Sequence, residues 1–136
     1  LAAEAARGDS GIDDPLQEAL RRARALDADG KLDDDPLGQA IAIRDRHFVR
    51  ASLAIRAGLP VGAVDRVLSA HSAKGIVSLA WKAGLKVSTA VRLQTDFAHV
   101  ARASVMRALP DGSYPMTPDA MRWHLEFLTG VAESAA

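Results

Sequence analysis

Cysteine is absent from the 136 residues. That removes disulfides, thiolate zinc sites and thiol nucleophiles together. Aromatic residues are scarce as well, at 4% against 49% for all hydrophobic residues. The core must therefore be aliphatic and rich in alanine, which suits close helix–helix packing. No apolar run approaches the ~18 residues of a membrane span. Neither Gly-x-x-x-x-Gly-Lys nor Gly-x-Gly-x-x-Gly occurs, so the common phosphate loops are missing. No segment alternates strictly or is enriched in β-branched residues, so no sheet is expected. The chain opens on Leu1 without a signal-peptide pattern. It reads as one piece of a longer, cytoplasmic protein.

A net charge is also lacking, but the zero conceals three blocks. Residues 1–36 carry 10 acidic and 5 basic side chains, a net −5; residues 37–110 carry 3 and 11, a net +8; residues 111–136 carry 4 and 1, a net −3. The basic middle either faces an anionic partner or is balanced by the acidic flanks folding back.

What the chain does contain is a repeat. Ser52-Leu53-Ala54-Ile55-Arg56-Ala57-Gly58-Leu59-Pro60-Val61 returns 26 residues later as Ser78-Leu79-Ala80-Trp81-Lys82-Ala83-Gly84-Leu85-Lys86-Val87. Seven of the ten positions are identical, and Arg56/Lys82 keep their charge. Repetition at this period marks stacked helical units, none of which buries its apolar face alone.

Helix signals are plain. Asp14-Pro15 and Asp35-Pro36 each pair an N-capping carboxylate with a proline at the first helical position, and Thr117-Pro118 is a third start. Gly58 and Gly84 are placed to close helices in the left-handed conformation, with Leu59 and Leu85 folding back on the last turn; Gly30 and Gly130 suit the same role. The spacing predicts helices over 15–27, 36–44, 46–57, 61–70, 73–83, 88–109 and 118–129. The longest, 88–109, carries Leu93, Phe97, Val100, Ala101 and Ala108 along one side and reads as a spine for the others. The expected fold is all-α, six to seven helices in a short, irregular, right-handed, HEAT-like array of helical hairpins. It is one domain over 1–136, with core repeats about 36–109, an acidic N-terminal helix at 12–30 and a C-terminal helix at 117–130. The first and last helices are expected to dock on the basic repeats.

Two resemblances add to this reading. Ala40-Ile41, Asp45, Phe48, Ala51-Ser52-Leu53-Ala54 and Ala57-Gly58-Leu59-Pro60, followed by Ala83-Gly84-Leu85, resemble an uncharacterised helical domain family of alphaproteobacterial proteins. The match covers roughly residues 36–109. It implies a helical repeat in the style of HEAT arrays within a bacterial protein, and no activity, cofactor or catalytic residue. Separately, segments 53–68 and 79–93 look like the helix-turn-helix of lac-repressor-type regulators, in which the second helix enters the major groove. Arg66 and Arg92 would then be the base readers. Against this, Pro60 stands where a Ser or Thr cap opens a reading helix, and Asp65 would face phosphates.

No catalytic or metal constellation is legible. His47, His71, His99 and His124 are 24, 28 and 25 residues apart, with no short ligand spacing, so a site would need four separate helices to converge. Asp96, His99 and Ser104 lie along one helical line and cannot surround a substrate. Asp33-Asp34-Asp35 lacks the alternate spacing of a calcium loop and reads as a solvated linker and cap. Trp81 replaces Ile55 of the first copy and serves either as bulk in the core or as an interface anchor. The expected function is non-enzymatic: a protein-interaction or scaffolding module of a larger bacterial protein, with no cofactor. The alternative is a DNA-binding or regulatory module. The residues singled out are the helix ends Gly58, Leu59, Gly84 and Leu85, and an interaction surface around Arg66, Arg92, Arg102 and Trp81.

Overall fold

The computed structural model describes the backbone of residues 2–130 and the side chains of residues 15–130. Among them are seven α-helices and no strand. In chain order α1 is Ala2–Ala28, α2 Asp34–Ala42, α3 Arg46–Ala57, α4 Val61–Ser69, α5 Ala73–Lys82, α6 Val87–Arg92 and α7 Pro118–Thr129. A π-helical turn, Leu93–Phe97, continues α6, and a single 3-10 turn covers Arg102–Ser104.

The two signature copies form α3 and α5 with the turns that follow, and the two helices pack against each other. Leu53, Ile76 and Leu79 are wholly buried in this contact region. Each contributes roughly 1.5–3 kcal/mol by leaving water. Both helices close in the same way. Gly58 has φ 69° and Gly84 φ 72°. The Leu59 amide donates to the Ala54 carbonyl and the Leu85 amide to the Ala80 carbonyl, each at 3.0 Å. These six-to-one bonds satisfy carbonyls that a helix end would otherwise leave unpaired.

Outer helices cover this pair. Helix α1 lies on α3 through Ala19, Leu20 and Ala23, and α7 lies on α4 and α5 through Met121 and Leu125. The α5–α7 approach is close because Gly75 has no side chain: a Cβ there would stand 2.5 Å from Leu128 Cδ1. Both acidic flanks thus dock by apolar burial, and α3–α4 and α5–α6 are the repeated hairpins between them.

Three sequence expectations are corrected. Helix α1 runs through Pro15 instead of starting there; the Asp14 side chain lies outside the described residues. Helix α2 is capped by Asp33, whose carboxylate accepts from the Asp35 amide at 3.0 Å, and not by Asp35. Asp34 is drawn elsewhere, accepting from the Lys86 amide at 2.9 Å and the Thr89 hydroxyl at 2.5 Å, so it pins the start of α6.

The third correction is the largest: the spine helix 88–109 does not exist. Helix α6 ends at Arg92, the backbone widens into the π turn, and His99 reverses the chain at φ 55°. Phe97, Ala98 and Val100 are all buried through this reversal. Gln94 then holds the returning strand of chain. Fully buried, it donates to the Met106 carbonyl at 2.8 Å and accepts from the Met106 amide at 2.7 Å.

Candidate functional site

The residues singled out from the sequence are dispersed, and two of them are engaged within the fold. Arg66 Nη1 donates to the Thr129 carbonyl at 2.6 Å, at the end of α7. Arg92 Nη2 donates to the Gly38 carbonyl in α2 at 3.0 Å. Arg56 does the same for α5, with Nε on the Ala83 carbonyl at 2.9 Å. Part of the positive charge of the middle segment therefore goes to backbone acceptors, two of them at helix C-terminal ends, where a cation is favourable. Arg102 is exposed on the 3-10 turn. Trp81 is half-buried, with the Arg122 guanidinium 5.5 Å from its ring centre.

Helix α7 carries a feature the sequence reading passed over. Its inner face packs on α4 and α5. Its outer face presents Trp123, 58% exposed, and Phe127, 71% exposed. One helical turn apart, their rings stack at 5.2 Å with 8° between planes, and His124 meets Trp123 edge-on at 5.0 Å. Burial, and secondarily the Lys74 charge, lower the pKa of His124. A stacked aromatic pair on a helix already buried on its other side is unusual for surface left in water.

A second feature is a cleft of about 410 Å³ between α3, α4 and the π turn. Arg46, Arg50, Asp65, His71, Phe97 and His99 line it. Arg50 binds Asp65 through two nitrogens, Nε to Oδ1 at 2.7 Å and Nη2 to Oδ2 at 2.8 Å. The hydrogen bond to Asp65 raises the Arg50 pKa further, against the opposing effect of burial. Arg46 lies over the Phe97 ring at 4.7 Å. His71 Nδ1 donates to the Ala98 carbonyl at 2.6 Å. A smaller hollow of about 230 Å³ adjoins, sharing Arg46, Phe97 and His99 and adding Arg44 and Asp96.

Among the described residues three non-glycine backbones are left-handed, at Arg44 (φ 60°), His71 (φ 54°) and His99 (φ 55°), and all line these two hollows. Each costs roughly 1–2 kcal/mol. His71 and His99, 28 residues apart in the sequence, thus line the same cleft. The available signal was the absence of glycine after α2, after α4 and near 98, where helices have to close. Among the described residues, no group of three or more metal-ligating side chains converges, and no helix is long and apolar enough to cross a membrane. Comparison with protein-family models, curated proteins and solved structures gives no match.

Proposed function

We propose that the chain is a non-enzymatic protein-interaction module of a larger bacterial protein, acting in the cytoplasm, and that it meets its partner through the outer face of α7. The observation that carries this is the exposed Trp123–Phe127 stack. Large, rigid aromatic rings bury much area at little entropic cost, and such residues dominate binding energy where they anchor an interface. Arg122 and Glu126 on the same helix give the patch a charged rim. The partner surface is apolar and concave enough to admit two stacked rings.

The use of Arg66 and Arg92 on carbonyls within the fold supports this reading over the nucleic-acid one. Asp65, paired with Arg50 on α4, leaves that helix few donors for base edges.

The test is capture from a lysate of the source organism with the parent chain and with Trp123→Ala/Phe127→Ala, followed by titration of the purified partner. Loss of two interface anchors should weaken binding by at least about 2 kcal/mol, roughly thirtyfold. A partner that binds both forms equally would place the contact surface elsewhere.

A further inference from the structure

We propose that the cleft between α3, α4 and the π turn binds a small phosphate monoester. Of its two arginines, Arg50 is paired with Asp65 and Arg46 is left for a ligand. Among the described residues, neither Arg44 nor Arg46 has a carboxylate within salt-bridge distance. Arg46 is held in place by the Phe97 ring, which fixes the guanidinium without neutralising it. Of the carboxylates nearby, Asp65 is neutralised by the two-point contact with Arg50, while Asp96 keeps its charge, accepts from the Thr95 hydroxyl at 3.0 Å and lines only the smaller hollow. The negative ends of the neighbouring helices are also covered. The Arg44 and Asp45 amides close on the Ile41 and Ala40 carbonyls, and the His71 ring closes on Ala98.

His71 sets the chemistry of the ligand. A carbonyl only accepts, so Nδ1 carries a proton, and Nε2 is left as the second position of the ring. In the neutral ring that nitrogen is an acceptor, suited to a hydroxyl of the ligand's organic part. With Arg46 in the cleft and Arg44 in the hollow that adjoins it, a doubly charged oxyanion is matched better than a single carboxylate. The volume of about 410 Å³ also exceeds what a bare ion fills and lies within the range of small-molecule sites. Left-handed backbones at His71 and His99 on this cleft, and at Arg44 on the adjoining hollow, are the kind of local cost that persists where geometry is held for binding.

The experiment is a titration of the isotopically labelled chain with inorganic phosphate and with glycerol 3-phosphate, followed by amide and arginine side-chain resonances. Glycerol and acetate serve as controls. Saturable shifts at residues 46, 71 and 97–99, with a Kd near about 1 mM and tighter for the monoester, are expected. Arg46→Gln should weaken binding at least about tenfold, the loss of one charge-assisted partner, while the thermal melt stays near that of the parent. Arg107→Gln, exposed and outside the cleft, should change nothing. Absence of saturation, equal weakening by both variants, equal shifts with acetate, or no preference for the monoester over inorganic phosphate would each overturn the proposal.

Discussion

Replacing each signature glycine with alanine separates backbone strain from side-chain displacement. Both positions are left-handed, at φ 69° for Gly58 and 72° for Gly84. A Cβ there costs about 1–2 kcal/mol, partly offset by about 0.4–1 kcal/mol from the stiffer unfolded chain. The net is about 1 kcal/mol at either site. Their surroundings differ, however. A Cβ on Gly58 meets nothing within 4 Å, whereas one on Gly84 would stand 2.9 Å from Arg56 Nη2. The guanidinium is the far end of a flexible chain and moves readily, but in moving it gives up its bond to the Ala83 carbonyl. A bond from a charged donor contributes about 1.5–3 kcal/mol when sheltered, and about 1 kcal/mol here because Arg56 is solvated. Urea unfolding should therefore show a loss of about 1 kcal/mol for Gly58→Ala and about 2 kcal/mol for Gly84→Ala, with unchanged slopes. In an Arg56→Ala background the two losses should become equal, since the coupling then has no carrier. Unequal losses in that background, or equal losses in the parent, would refute the role given to Arg56. No loss at either glycine would refute the left-handed helix ends themselves.

Two further outcomes follow from the buried polar groups and the titrating ones. Gln94→Leu leaves the Met106 amide and carbonyl without their partner, and should cost about 2–4 kcal/mol in urea unfolding while speeding hydrogen exchange at the Met106 amide. For His124, burial and Lys74 disfavour the charged ring in the folded state, so the unfolded chain binds more protons. Stability should then fall as pH drops through the unfolded value of about 6.5. The melting temperature of the parent should decline more between pH 7.5 and 5.5 than that of His124→Gln.

Local chemistry was the legible part of this fold. Thr117 accepts from the Ala120 amide as its pairing with Pro118 predicts, whereas the caps Asp45 and Ser72, which accept from the Phe48 and Gly75 amides, were not singled out. The glycines after α3 and α5 were likewise legible. The π turn was not, because Leu93, Phe97 and Val100 fit a helical stripe when taken alone. What breaks the helix is Gln94 reaching Met106, a contact that exists only after the chain has turned back. Asp34 misled in the same way, its partners being 52 and 55 residues away. The cleft was hidden for a related reason: His71 looks like an ordinary loop residue and His99 like a residue of the expected long helix until α4 and the π turn are brought together. The Trp123–Phe127 pair was readable at i, i+4, but the sequence could not say which face of α7 is turned outward while Met121 and Leu125 offer a second stripe.

The sandwiching of α3 and α5 between α1 on one side and α7 on the other has an evolutionary consequence. The buried positions of the duplicated segment, Leu53 and Leu79 among them, answer to packing and are constrained jointly, since α3 and α5 pack on each other. The outer faces of α1 and α7 are under no such mutual restraint. Recognition is thereby uncoupled from the frame, and a lineage carrying this chain is free to exchange one partner for another by altering exposed positions such as Trp123 and Phe127 while the repeated centre stays as it is.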